Sequence, residues 1–245
     1  MKIEIFSDVA CPWCYIGKRR FETALAAFEH RDEVEVEWKS FQLDPTLPEH
    51  DDRREVDYLA EVKGLPREQV TQMLAHVGEQ ARGEGLSYDF ENLVVANSWR
   101  AHRLVQRAKA VSPEAAAALE EELFRAHFEQ GLDIGDEQVL ARLGTAAGLT
   151  DEQVREAFTD AQWEAAVKQD LAAARALGVS GVPFFVLDRR YGISGAQPAE
   201  LFAQALEQAW AESRPLQMVR PAGAGTGPDG DAGPTGQACG PEGCD

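Results

Sequence analysis

Four cysteines stand in a chain of 245 residues, and they come as two close pairs. In Cys11-Pro12-Trp13-Cys14 the sulfurs are separated by two residues, a spacing that a turn or a first helical turn closes to disulfide distance. If a helix starts near Pro12, Cys11 stands where backbone N–H groups have no intrahelical partner. Those groups and the helix dipole favour thiolate over thiol. The thiolate is the nucleophile of disulfide exchange, so Cys11 is the expected attacking group. Cys14, one turn in and less exposed, is then expected to resolve the mixed disulfide. Pro12 suits the first helical position because its missing N–H would be unpaired there anyway. Trp13 is expected as an exposed aromatic beside the nucleophile, able to cover it or to contact a polypeptide substrate.

The second pair lies in Cys239-Gly240-Pro241-Glu242-Gly243-Cys244, where glycine and proline let a six-residue loop close on itself. A zinc site built from both pairs is the competing chemistry. The Cys-x4-Cys spacing is unusual for a zinc knuckle, and the first pair stands at a strand-to-helix junction, so no metal is expected. A chain of this length buries a core without staples, so a purely structural disulfide is not needed either.

The elements that must hold Cys11 and Cys14 are readable on both sides of them. Lys2 to Phe6 alternates polar and apolar residues, as a half-buried strand does. From Tyr15 onward Ile16, Phe21, Ala24, Leu25 and Phe28 recur near helical spacing, which predicts a helix of roughly 17 residues. Val34 to Phe41 alternates again. Strand, helix, strand with a crossover of that length suits two parallel strands. From Asp51 to Gly178 apolar residues repeat at three and four, including Val70, Met73, Leu74 and Val77, then Val94 and Val95, then Leu119, Leu123 and Phe124. Five to seven helices are predicted there. Ser112-Pro113 reads as an N-cap and first-turn proline, and Thr150-Asp151-Glu152-Gln153 as a capping box. Phe184 to Leu187 and Tyr191 to Ser194 read as two strands around a turn, followed by a helix from Pro198 to Ala211. From Pro215 onward glycine, proline and polar residues dominate, and a flexible tail is expected.

The net charge of -18 argues against binding to nucleic acid or to an anionic membrane surface. The N-terminal residues are too short and too alternating for the apolar core of a signal peptide, and no later run approaches the length of a membrane span. A cytoplasmic protein is expected, and in a reducing compartment a close cysteine pair points to catalysis or metal binding rather than structure. The apolar faces of the predicted helices can be satisfied within one core or at a two-fold interface, and a monomer is the reading favoured here.

Three segments together resemble the DsbA-type branch of the thioredoxin superfamily, and within it the FrnE-like proteins with a C-terminal Cys-x4-Cys. They are Phe6 to Gly17, Asn97-Ser98-Trp99-Arg100-Ala101-His102-Arg103-Leu104, and Gly178 to Val186 with its Gly181-Val182-Pro183. The resemblance implies a thioredoxin-like α/β fold interrupted by a large all-helical insertion. Its expected boundaries are 1–50 and 178–211 for the thioredoxin-like part, 51–177 for the insertion and 212–245 for the tail. It implies Cys11 as attacking and Cys14 as resolving cysteine, and a cis Val182–Pro183 bond opposite Cys11. The backbone of Val182 would then be free to pair with an extended substrate.

The implied activity is thiol–disulfide oxidoreductase or disulfide isomerase, acting on protein thiols and disulfides with a separate recycling partner. No tightly bound cofactor is expected, and glutathione would serve as a redox partner. Cys239 and Cys244 are expected to exchange disulfide with Cys11 and Cys14, or to guard them. The rival within the superfamily is a glutathione-dependent isomerase or kappa-like glutathione transferase. Those proteins characteristically carry serine at the position of Cys11, and this chain departs from that pattern.

Histidines are the remaining candidates. Asn97 and His102 lie five apart, which on a continuous helix turns them roughly 140° away from each other. His102 alone is a candidate proton carrier near Cys11, because imidazole titrates across neutrality. A packing or hydrogen-bonding role is the alternative. His30, His50, His76 and His127 carry weaker signals.

Overall fold

The structure, a computed structural model, describes residues 1–213. Strand β1 (Lys2–Ser7) leads into helix α1 (Pro12–Ala27), and strand β2 (Glu35–Ser40) follows a short 3-10 turn. The helical stretch comprises α2 (Glu55–Lys63), α3 (Arg67–Gly83), α4 (Trp99–Lys109), α5 (Pro113–Phe128), α6 (Glu137–Ala146), α7 (Asp151–Thr159) and α8 (Ala161–Ala176). Strands β3 (Phe184–Leu187) and β4 (Tyr191–Ser194) and helix α9 (Ala199–Glu212) complete it. A small mixed sheet flanked by a long run of helices is the thioredoxin fold with a helical insertion.

The strand order is β2-β1-β3-β4, with β1 parallel to β2 and antiparallel to β3. The alternation read in β1 sorts its side chains between the two faces. Ile3 and Ile5 pack with Phe185 and Leu187 of β3 against Phe21 of α1 and against Phe202 and Leu206 of α9. Phe6 points the other way and meets Val186, Val179 and Ala174 of α8. That second face also carries a polar junction. Asp170 of α8 accepts from the Ser40 amide at 3.0 Å and from Gln106 Nε2 of α4 at 2.5 Å, and pairs with Lys39 at 3.2 Å. The carboxylate thus ties the helices to β2 through satisfied bonds rather than apolar area.

A separate apolar cluster joins the insertion to α1. Tyr15 and Ile16 pack with Leu104, Leu119, Leu123 and Phe124, and Cys11 and Cys14 belong to the same cluster. The predicted caps of α5 and α7 form: Ser112 Oγ accepts from the Ala115 amide, and Thr150 and Gln153 make the reciprocal box.

The helical reading of Val94 and Val95 is corrected. The stretch from Asp89 to Ser98 is not helical, and Val94 forms an isolated antiparallel bridge with Arg54. Asp89 explains the break, since its carboxylate accepts from the amides of Glu91 and Asn92 and bends the chain there.

Candidate active site

The turn between β1 and α1 is built by backbone bonds. The Cys11 amide donates to the Asp8 carbonyl at 2.9 Å, and the Cys14 amide to the Cys11 carbonyl at 3.0 Å. Cys11 is the N-cap of α1 with extended backbone, and Pro12 takes the first helical position. The helix therefore directs its unpaired N–H end at the cysteine pair. Both cysteines are free thiols; Cys11 is 4% exposed and Cys14 1%. Burial pushes the Cys14 thiol well above its ordinary range, the neighbouring Cys11 adds to this, and the Asp8 backbone amide opposes it.

Val182 and Pro183 arrive from the far end of the insertion. Their peptide bond is cis, and the Cys11 thiol donates to the Val182 carbonyl at 3.6 Å. Gly17 makes this approach sterically possible: a Cβ there would stand 2.9 Å from Pro183 Cγ and 3.4 Å from Ala196 Cβ. Pro12 is held from the insertion side by Tyr88, whose hydroxyl donates to its carbonyl at 2.7 Å. Where the sequence reading has Trp13 exposed, the structure half-buries it against the helical core with its ring 6.3 Å from that of His76. The insertion closes over the motif.

Beneath the motif lies a buried pair. His102 Nε2 of α4 is 3.3 Å from Asp8 Oδ1. Burial pushes the Asp8 carboxyl up, but the His102 hydrogen bond and charge, with the Leu43 and Ala10 amides, outweigh it and hold the group below its usual range. Burial likewise pushes the imidazole down, and Asp8 outweighs it, so His102 is raised. Asn97 lies just before α4 rather than on it, and its side chain fastens loops by donating to the Leu47 carbonyl at 2.6 Å and accepting from Gln42 at 2.9 Å.

A cavity of about 630 Å3 opens beside the pair. Cys11, Pro12, Trp13 and Val182 line one side, and α2 and α3 supply Leu59 and Met73 on the other. His127 also lines it; burial drives this imidazole down to about 4, so it is neutral, and its Nδ1 has no partner. Among the described residues no group of three or more histidine, cysteine or acidic side chains is placed to hold a metal ion.

The structure thus brings Cys11, Pro12, Trp13, Cys14, Val182 and Pro183 together. Cys239 and Cys244 lie outside the described residues. In the sequence Asp8 and Gly17 stand only within the Phe6 to Gly17 segment of resemblance, without a role of their own. Tyr88 carried no signal at all.

Residues 2–207 match the DSBA-like thioredoxin domain. The chain belongs to that family. It is similar to a solved structure described as a probable DsbA oxidoreductase from Streptomyces coelicolor, at 42% identity and a TM-score of 0.83, covering 100% of this chain and 98% of that one. Similarity in fold extends to the cytosolic disulfide reductase DsbM from Pseudomonas aeruginosa, solved with GSH, at 20% identity and a TM-score of 0.62 over 86% of this chain and 100% of that one. The uncharacterized protein YwbO of Bacillus subtilis (strain 168) is 24% identical over 83% of this chain and 94% of its own. The match to DsbA-type oxidoreductases, with the redox-capable pair Cys11/Cys14, makes this DSBA-like protein an oxidoreductase.

Proposed function

We propose that this DSBA-like protein exchanges disulfides with protein substrates through Cys11, with Cys14 as the resolving thiol, as an oxidoreductase or disulfide isomerase of the FrnE-like type. The observation that carries this reading is the placement of the Cys11 sulfur at the N-terminus of α1 and against the Val182 carbonyl. The Cys11 thiolate attacks one sulfur of a substrate disulfide. A Cys11–substrate disulfide forms, and the other substrate sulfur leaves as a thiolate that takes up a proton. Cys14 then gives up its proton and attacks the Cys11 sulfur, which releases the second substrate thiolate and closes the Cys11–Cys14 disulfide. The substrate is reduced by two electrons and the pair is oxidised by two. The reverse sequence oxidises a substrate dithiol, and the potential of the pair against its compartment sets the direction. Isomerisation ends instead when a second substrate thiol attacks the mixed disulfide and frees Cys11.

Pro12, Trp13, Val182 and Pro183 contact the substrate in this reading, with the Val182 backbone pairing to an extended segment. The site is cytoplasmic, and glutathione or a dithiol protein recycles the pair. We extend the proposal to Cys239 and Cys244, which exchange disulfide with the Cys11/Cys14 pair or guard it from overoxidation.

A Cys14→Ser variant tests the core of this. It is expected to accumulate mixed disulfides with proteins on Cys11, separable on non-reducing gels and released by dithiothreitol. Cys11→Ser is expected to lose reductase and isomerase turnover while its circular dichroism is unchanged. Retained turnover in Cys11→Ser refutes the nucleophile, and a trap containing only small-thiol adducts replaces the protein substrate with glutathione-dependent chemistry.

A further inference from the structure

His102 belongs to α4 in the helical segment, yet its imidazole ends at the turn that carries the cysteines. Its Nε2 stands 3.3 Å from Asp8 Oδ1, and each of the two side chains is 2% exposed. Asp8 organises that turn. Its Oδ1 accepts from the Ala10 amide at 3.1 Å, its Oδ2 from the Leu43 amide at 2.7 Å, and its carbonyl from the Cys11 amide. The carboxylate thus fixes both the approach to α1 and the loop after β2 that lines the cavity. The two amides stabilise this buried carboxylate as hydrogen-bond donors, and a cation in contact with it offsets the remaining cost of burying its charge.

The ionisable groups linked to Asp8 and His102, directly or through Glu120, do not supply that charge by contact. Lys18 of α1 is bonded to Glu22 and Glu121, at 2.5 and 2.6 Å. Lys109 of α4 holds Glu37 and the Trp38 carbonyl. Glu120 of α5 is itself a buried acid with an unpartnered Oε2, and His127 of α5 is neutral. Among the described residues His102 is the ionisable base within hydrogen-bond distance of Asp8.

We propose that His102 is a positioning residue for the cysteine centre: as an imidazolium paired with Asp8, it cancels a buried negative charge that would otherwise oppose thiolate formation at Cys11 and Cys14. The role rests on the disulfide-exchange reading of that centre. A like charge nearby disfavours the thiolate, so the helical insertion tunes the thiols through a residue that touches neither sulfur of the motif by hydrogen bond. This is a different task from carrying protons, because the imidazole keeps its proton throughout.

The test is the pH dependence of iodoacetamide alkylation of the fully reduced, full-length protein, compared with His102→Gln and His102→Phe. Glutamine can still donate a hydrogen bond but brings no charge. The alkylation profile of His102→Gln is expected to move about one unit to higher pH, which lowers the rate about tenfold on the rising limb of the profile. Its circular dichroism is expected to be unchanged, and His102→Phe to shift at least as far. An unshifted profile in a folded His102→Gln overturns the proposal and leaves His102 a packing residue. If neither variant folds, nitrogen-edited NMR of the wild-type protein decides: a doubly protonated His102 ring above pH 7 is expected, and a neutral ring at pH 7 overturns the role. Alkylation needs no disulfide substrate, so it reads His102 even where the Cys14→Ser trap fails.

Discussion

Chemistry is most readable where it depends on residue type and spacing, and Cys11 to Cys14 are of that kind. Residues that act through burial are harder to find. Glu120 sits in the run Glu120-Glu121-Glu122, which reads as a solvated helix face, but its side chain is buried beside the Leu119 and Leu123 core. Burial pushes its carboxyl up to about 7 against an ordinary value of 4.5, with His102 and Lys18 opposing. The folded state therefore holds an extra proton between those two values, so this group's contribution is fully present below pH 4.5 and is lost as pH rises through 7. Glu120→Gln keeps the shape and removes the titration. The variant is expected to be more stable than wild type at pH 8 to 9 by about 1–3 kcal/mol, with the difference vanishing below about pH 5. Urea unfolding at the two pH values measures this. A difference that does not change with pH would show that Glu120 does not titrate in this range.

At the scale of elements, periodicity places β1, α1 and β2 to within a residue or two, because their buried apolar side chains face one of three clusters. It fails at Val94 and Val95, where side-chain bonds from Asp89 to the backbone override the apolar spacing. Periodicity is also silent on how closely two elements approach. The seat of α1 against Pro183 depends on Gly17, which helix propensity alone would replace with alanine for a gain of about 1 kcal/mol. The added methyl would lie 2.9 Å from Pro183 Cγ, inside van der Waals contact. Overpacking of this sort costs about 1–3 kcal/mol, so the clash outweighs the propensity. Gly17→Ala is expected to lower the melting temperature by a few degrees. Because Pro183 borders the Cys11 sulfur through Val182, its disulfide exchange should also slow. A melting temperature at or above that of wild type would mean that Pro183 yields without cost.

On the scale of the whole molecule, the placement of β3 beside β1 does not follow from local pattern. β1 alternates and β3 is a continuous apolar run, so each reads as a strand by itself, but their partnership spans the whole insertion and only the fold implied by the resemblance brings them into one sheet. Asp8 and His102 meet across 94 residues, and so neither could be paired from spacing. The family match ends at residue 207, well before Cys239 and Cys244, so the second pair rests on its spacing and on the FrnE-like resemblance. Full-length protein carrying Cys239→Ser with Cys244→Ser is expected to cycle its disulfide more slowly and to overoxidise at Cys11 under peroxide, as read by mass spectrometry. Unchanged cycling together with unchanged overoxidation rejects the proposed exchange. The contact between Cys11 and Val182 joins residues 171 apart in the chain. During synthesis at about 5–20 residues per second, the cysteine pair is made roughly 10–35 s before the carbonyl that meets it. The nascent chain thus carries both thiols through that interval without the enclosure of the finished site.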